Sequence, residues 1–159
     1  MNGTSSNPLP RRKRIRLPLQ DYFTPTARYF VIICCRGKKP LLTLPSHRSL
    51  LRDLLCRTAR AQRVELAAYT VLPTHLHFIA SGGRLDLLAF VREFKSRSAV
   101  ELGRRGLPFP QWQRSFFDRK LRSKASLRKK CAYIWHNPVR AGLAKNPEGY
   151  PWSGSLLTG

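Results

Sequence analysis

Acidic side chains are scarce in this sequence. Only 8 of its 159 residues are Asp or Glu, against 30 Lys and Arg, and the formal net charge is +22. A folded domain this basic repels itself unless an acidic partner neutralises the excess charge. Nucleic acid is the usual partner, because each phosphate that a cation neutralises releases a condensed counterion. The composition therefore favours DNA or RNA as the ligand, with an anionic membrane surface as the competing interpretation.

Long apolar runs and secretion signals are also missing. No apolar stretch approaches the roughly 20 residues of a membrane-spanning helix. The segment LPLQDYFTPTARYF, which follows the basic N-terminal run, has neither the apolar core of a signal peptide nor a small-residue cleavage site. No two cysteines form a C-x-x-C pair, so we expect reduced, buried thiols at Cys34, Cys35, Cys56 and Cys131. These absences predict a soluble, cytoplasmic protein that does not enter the membrane.

Apolar residues are nevertheless frequent enough for one core. Hydrophobic side chains make up 42% of the chain, and its length suits a single domain, which we expect to span residues 21–159. Residues 1–20 are expected to form a flexible basic arm, in which RRKRIR places five cations in six positions. A solubility tail without a specific partner is the alternative. The residues of this arm that we expect to contact phosphates are Arg11, Arg12, Lys13 and Arg14.

The hydrophobic pattern alternates between strands and helices. It predicts strands at residues 27–35, 64–73, 75–80 and 111–122, and helices at residues 46–61, 85–102 and 123–138. Ser46 and Ser123 are the predicted N-caps, and Pro138 is predicted to end the last helix. The order predicts an α+β, ferredoxin-like split β-α-β sandwich: an antiparallel sheet with helices on one face, plus a further C-terminal helix. We predict turns for the tail NPEGYPWSGS.

Two histidines share one face of a predicted strand. In VLPTHLHFIA, side chains alternate, so His75 and His77 lie on one face while Leu76 and Phe78 lie on the other. The two imidazoles start about 7 Å apart along the backbone and can converge on one metal ion. An H-x-H pair alone is a weak signal, and an incidental pair is the alternative.

The last predicted helix carries a second group of chemically useful residues. Tyr133 and Asn137 are four residues apart and share a helix face, beside Lys129 and Lys130. A phenol, with a pKa near ~10, attacks phosphorus only where a cation or metal favours the phenolate or neutralises the phosphate. The amide oxygen of Asn137 suits a third ligand for a divalent ion. The alternative is a boundary tyrosine that packs its ring and exposes its hydroxyl to water.

Residues 92–130 are strongly basic, with thirteen Lys or Arg against three Asp or Glu, which favours a track for phosphates. Within this segment Trp112, Phe116 and Phe117 alternate with Arg114 and Arg119. Such interleaving suits the stacking of unpaired bases. The alternative is that the aromatic rings fill the core between sheet and helices.

Three segments, YTVLPTHLHFIA, WQRSFFDRKLR and YIWHNPVRAGL, resemble in that order the blocks of the REP-associated tyrosine transposases, a branch of the HUH superfamily of single-strand transposases. The resemblance runs from about Tyr29 to Trp152. It implies that His75 and His77 bind a metal, that Asn137 is the third ligand, and that Tyr133 is the catalytic tyrosine. The sequence departs from the family after Asp118, where many members have a histidine and this chain has Arg119.

The resemblance implies a reaction as well as a fold. Tyr133 would attack a scissile phosphate in single-stranded DNA with the help of Mg²⁺ or Mn²⁺, leaving a 5′-phosphotyrosine and a free 3′-OH. A REP-type hairpin would be the target, bound by a monomer or a homodimer without a small-molecule cofactor. The predicted DNA contacts are Arg11, Arg12, Lys13, Arg14, Arg114, Lys129 and Lys130. A catalytically silent nucleic-acid-binding protein on the same fold remains the main alternative, and a basic RNA-associated protein is a third.

Overall fold

The computed structural model describes residues 27–82 and 85–157. The predicted basic arm, with Arg11, Arg12, Lys13 and Arg14, lies outside the described residues and stays a prediction, as does the domain boundary at residue 21. No helix within the described ranges is long and apolar enough to cross a membrane.

Strands and helices alternate along the described residues. In chain order they are β1 (Arg28–Cys34), α1 (Pro45–Ala61), β2 (Glu65–Val71), β3 (His75–Ser81), α2 (Leu87–Arg104), β4 (Phe117–Leu121), α3 (Lys124–Arg140) and β5 (Ser153–Leu156). Short 3-10 turns cover Arg36–Lys38 and Pro147–Gly149. The order from β1 to β4 is that of the predicted split β-α-β unit.

The strands form one antiparallel sheet in the order β4-β1-β3-β2-β5. The apolar strands β1 and β3 lie inside the sheet, where both of their edges are paired. A tight turn at residues 72–74 joins β2 to β3, and the Leu72 N–H donates to the His75 carbonyl at 2.8 Å. The arrangement confirms the predicted α+β, ferredoxin-like fold and adds β5 along the outer edge of β2.

Side chains of the sheet alternate between two cores. On one face, Leu76 and Phe78 pack among the apolar residues of α1 and α2. On the other face, Phe30 and Ile79 pack against α3, from which Ile134 is fully buried. Helices α1 and α2 therefore cover one side of the sheet, as predicted, and α3 covers the side that carries the histidines.

Predicted boundaries are wrong in all three helices. Helix α2 begins two residues later than predicted, because Asp86 is its N-cap, and it also ends two residues later. The N-cap of α1 is Leu44 rather than Ser46, and Pro45 is the first helical residue. Proline suits that position because its missing N–H has no partner in the first turn of any helix. Helix α3 continues through Pro138 to Arg140. The fixed φ of proline is compatible with a helix, and one lost hydrogen bond near the C-terminus is tolerated.

The predicted fourth strand, residues 111–122, is shorter than its pattern indicates. Its regular part is β4, and Trp112 forms only an isolated bridge with Cys35. The Trp112 indole is buried beside α2 and donates its N–H to the Ser98 hydroxyl at 2.9 Å. The aromatic character of this segment therefore reflects core packing as well as strand formation.

The sequence predicts turns where the structure has β5, because Ser and Gly are poor strand formers. The Thr70 and Ser153 hydroxyls share a hydrogen bond of 2.6 Å across the β2–β5 pair. At Gly154 a Cβ would lie 2.7 Å from the phenolic oxygen of Tyr69, so glycine permits this close approach. The Gly154 carbonyl also accepts the indole N–H of Trp135 at 3.1 Å, which ties α3 to the sheet edge.

Candidate active site

His75 and His77 occupy the first and third positions of β3, so both side chains lie on the face that carries α3. Their Nε2 atoms are 2.6 Å apart and their ring centroids 4.5 Å apart. The Nδ1 atom of His75 is 2.7 Å from the Thr74 hydroxyl, a contact that turns the other ring nitrogen towards His77. The two imidazoles therefore converge on one point, as strand alternation predicts.

Burial favours the neutral form of both imidazoles, of which His75 is partly buried and His77 fully buried. The ring of His77 stacks on Phe30, with 5.8 Å between ring centroids. Burial lowers the pKa of His75 to about 4. Burial first, and then the charges of His75, Lys130 and Arg140, lower the pKa of His77 well below its ordinary value. A neutral imidazole keeps a nitrogen lone pair, so both rings can bind a metal without first losing a proton.

Helix α3 places Tyr133 and Asn137 next to the histidines. The helix begins after Ser123, whose hydroxyl accepts the Ser126 N–H at 3.0 Å, as the predicted N-cap requires. The amide nitrogen of Asn137 lies 3.2 Å from Nε2 of His77, and the Tyr133 ring centroid lies 5.8 Å from that of His77. The four-residue spacing thus turns both side chains towards β3.

Two cations flank the ring of Tyr133, which is 38% exposed. The Lys130 Nζ atom lies 4.9 Å from the ring centroid and the Arg140 guanidinium carbon lies 4.5 Å from it. Arg140 also donates to the Tyr133 carbonyl at 2.5 Å. Lys130 is among the predicted site residues, whereas Arg140 is not. Its position seven residues after Tyr133, two turns along the same helix face, is the signal that could have identified it.

Arg119 adds a third cation to this face of the sheet. It pairs in register with Phe30, and residues directly opposite each other in an antiparallel pair project to the same side. Burial, and then the Arg119 charge, lower the pKa of Lys130. Asp118 pairs with Val31 and belongs to the other face. Arg119, which stands where many family members have a histidine, therefore lies on the same face of the sheet as the candidate site.

The side chains present would fit a divalent ion. Two imidazole nitrogens that each lie about 2.1 Å from one ion, at right angles to each other, are about 3 Å apart. The Nε2 atoms of His75 and His77 are 2.6 Å apart, so they would need to separate by only a few tenths of an ångström. Rotating the Asn137 amide by half a turn would exchange its nitrogen for its oxygen at the position beside His77, because the two ends of the amide have almost the same shape. In the described part of the chain, no three His, Cys, Asp or Glu side chains form a metal cluster. Two imidazoles and one amide would leave such an ion open to water or phosphate oxygens.

Two other predicted DNA contacts, Lys129 and Arg114, lie among the described residues and are exposed. Lys129 lies on α3, and Arg114 lies beside α2, where it lines a cavity. Trp112 and Phe116 pack against the core under α1 and α2, and Phe117 packs against the core under α3. All three aromatic rings therefore pack at least part of their surface against the core.

Comparison with known proteins gives consistent matches. Residues 24–137 match the family model described as "Transposase IS200 like", a range that contains His75, His77, Tyr133 and Asn137. A REP-associated tyrosine transposase of Escherichia coli K12 is 27% identical over 134 residues, which are 83% of this chain and 78% of the relative. The solved structure of a REP-associated tyrosine transposase bound to a REP hairpin is similar with a TM-score of 0.73 and 26% identity, covering 89% of this chain and 82% of the other. A putative transposase of Deinococcus radiodurans R1 shares the fold, with a TM-score of 0.52 and 18% identity over 79% of this chain and 95% of the other.

Proposed function

The chain belongs to the IS200-like transposase family and is a DNA-cleaving and joining enzyme, and we propose that it nicks and rejoins single-stranded DNA through attack by Tyr133. The observation that carries this proposal is the placement of Tyr133 and Asn137 on one face of α3, in contact with the buried His77. A tyrosine that served only to pack would not need two imidazoles and an amide converging beside its ring.

The proposed substrate is a REP-type hairpin with a single-stranded flank. One structurally similar protein was solved with a REP hairpin bound. The formal charge of +22 supports an acidic polymer as the partner. Tyr133 is 38% exposed, so a DNA strand can reach it from solvent.

We propose that His75, His77 and Asn137 hold one divalent ion. Mg²⁺ and Mn²⁺ both accept imidazole and amide ligands, and imidazole favours Mn²⁺ of the two. When bound, the ion polarises the scissile phosphate and neutralises part of its charge. The buried imidazole of His77 supplies a fixed donor, since it is packed against Phe30 and cannot turn away without disrupting the core.

In the proposed reaction the Tyr133 oxygen attacks the scissile phosphorus. A new phosphorus–oxygen bond to the tyrosine forms as the bond to the 3′ oxygen breaks, and the proton lost by the phenol is balanced by the one that the departing 3′ oxygen gains. The products are a 5′-phosphotyrosine and a free 3′-OH. One phosphoester replaces another, so the 3′-OH of a second DNA end can reverse the step and join strands.

Lys130 and Arg140 are proposed to stabilise the phosphate while it is bonded to Tyr133. Both cations lie within 5 Å of the phenol ring, at 4.9 and 4.5 Å from its centroid. Fixed positive charge at the position where negative charge accumulates lowers the barrier without reorganisation. Arg140 is held in place by its hydrogen bond to the Tyr133 carbonyl.

A denaturing gel tests this function. Labelled hairpin DNA with a single-stranded flank is incubated with Mg²⁺, Mn²⁺ or chelator, and a protein–DNA adduct that survives denaturation is scored. We expect an adduct with the wild type and either ion, and none with Tyr133→Phe, His77→Ala or chelator. Tyr69→Phe removes a hydroxyl from a tyrosine on β2 and serves as the matched control that keeps the adduct.

Two results would contradict the proposal. An adduct that persists in Tyr133→Phe would exclude this tyrosine as the nucleophile. Salt-sensitive hairpin binding by the wild type, without an adduct under either ion, would instead support a catalytically silent DNA-binding protein on the same fold.

A further inference from the structure

The two histidines of the candidate site are oriented in different ways. His77 is fully buried and stacks on Phe30, with 5.8 Å between ring centroids, and its Nδ1 atom makes no hydrogen bond within the described residues. His75 is only partly buried, and its Nδ1 atom lies 2.7 Å from the Thr74 hydroxyl. Packing against the core therefore holds the ring of His77, whereas the ring of His75 depends on a hydrogen bond.

Thr74 is itself held in place, because the turn that contains it is tied to the residues that follow β1. The Cys35 N–H donates to the Thr74 carbonyl at 2.8 Å, and the Leu42 N–H donates to the Pro73 carbonyl at 3.0 Å. Pro73 has a fixed φ, and the branched side chain of threonine has few rotamers. Two backbone hydrogen bonds and a stiff side chain therefore keep the hydroxyl at one place beside His75.

A histidine that binds a metal needs its proton on the ring nitrogen that faces away from the ion. His75 turns Nε2 towards His77, since the two Nε2 atoms are 2.6 Å apart. When Nε2 gives its lone pair to an ion, Nδ1 of the neutral ring carries the proton and needs an acceptor. The hydroxyl oxygen of Thr74 has lone pairs that can accept this N–H. The contact at 2.7 Å therefore suits the tautomer that binds metal.

We propose that Thr74 is a positioning residue of the metal site, whose hydroxyl accepts the Nδ1–H of His75 and so keeps the Nε2 lone pair directed at the ion. Hydrogen-bonded partners of this kind fix the orientation of a metal-binding histidine and raise its basicity. His77 has no such partner on Nδ1 among the described residues, so the hydroxyl acts on one of the two imidazoles. This inference rests on the proposed function and adds to it a residue that acts through His75.

A Mn²⁺ titration of the full-length protein, without DNA, tests the inference. Free Mn²⁺ is measured by electron paramagnetic resonance for the wild type, Thr74→Val and Thr74→Ser. Valine has the shape of threonine without the hydroxyl, so we expect Thr74→Val to raise the Kd for Mn²⁺ about 10-fold. Serine keeps the hydroxyl, so we expect the Kd of Thr74→Ser to stay within about 3-fold of the wild-type value.

The matched control is Thr43→Val, which removes a hydroxyl from an exposed threonine in the loop before α1 and is expected to leave the Kd unchanged. Circular dichroism checks that each variant is folded. In the adduct assay, we expect Thr74→Val to raise the Mn²⁺ concentration that gives half the maximal rate about 10-fold, and to leave the rate at saturating Mn²⁺ within about 2-fold of the wild type. A loss of packing alone would not be restored by serine, which is smaller than valine, or by excess metal.

Two results would overturn the role of Thr74: a Kd for Thr74→Val equal to that of the wild type, or binding by Thr74→Ser as weak as that by Thr74→Val. The titration and the adduct assay also separate this role from the proposed function. Weaker Mn²⁺ binding by Thr74→Val, with no adduct from the wild type, supports the role of Thr74 and overturns the Tyr133 chemistry. An adduct from the wild type, with unchanged Mn²⁺ binding by Thr74→Val, overturns the role of Thr74 alone. A wild type that binds no Mn²⁺ overturns the metal site and the role of Thr74 together.

Discussion

Replacing Ile134 with alanine tests how the tyrosine-bearing helix is held on the sheet. Ile134 is fully buried between α3 and the face of the sheet that carries Phe30 and Ile79. The change removes three carbons, worth about 2.4 kcal/mol at about 0.8 kcal/mol each. The cavity left behind adds to this, and we expect a total loss of unfolding free energy of about 3 kcal/mol. For a chain of this size that corresponds to a fall in Tm of roughly 6–12 °C.

Chemical and thermal denaturation followed by circular dichroism measure this loss. Leu143→Ala, at a residue 43% exposed just beyond α3, is the matched control and is expected to change the unfolding free energy by less than about 0.5 kcal/mol. Ile134 is flanked on the helix by Tyr133 and, one turn on, by Asn137, so we also expect slower adduct formation below the Tm. A loss smaller than about 1 kcal/mol would refute the reasoning that packing of Ile134 fixes the helix.

Three further predictions concern the metal, pH and salt. Mn²⁺ at 100 times its Kd is expected to raise the unfolding free energy of the wild type by about 2.7 kcal/mol, and of His77→Ala by nothing, in denaturation curves. Without metal, the unfolding free energy is expected to fall as the pH is lowered from about 6.5 towards 4. The reason is that imidazoles of the unfolded chain take up protons near pH 6.5, whereas burial lowers the pKa of His75 to about 4 in the fold. A series of urea denaturation curves at different pH measures this fall, and an unfolding free energy that stays constant would contradict it. Lys129→Ala is expected to reduce the slope of log affinity against log salt by about 1 in hairpin titrations. Lys145→Ala, which removes an exposed cation from the loop after α3, is the control expected to leave the slope unchanged.

The parts of the site that the sequence predicts are those set by local geometry. Strand alternation is enough to place His75 and His77 on one face of β3, and helix periodicity is enough to place Tyr133 and Asn137 on one face of α3. What brings the two faces together is the packing of Ile134 on the sheet. Leu127, Cys131 and Ile134 recur at helical spacing in the sequence, and this pattern predicts that Ile134 is buried. The ferredoxin-like order follows from the same patterns.

Features that depend on contacts distant in sequence are not predictable in this way. Strand β5 has a sequence typical of turns, and forms because Gly154 fits against Tyr69 on β2. Arg119 lies on the side of the site through its register with Phe30, which no local pattern reveals.

The most direct test of the central claim is to identify the residue that carries the DNA. The adduct formed on hairpin DNA is treated with nuclease and protease, and the peptide that retains a nucleotide is located by mass spectrometry. We expect a single modified peptide with the nucleotide on Tyr133. A nucleotide on another tyrosine, such as Tyr29 or Tyr69, would contradict it.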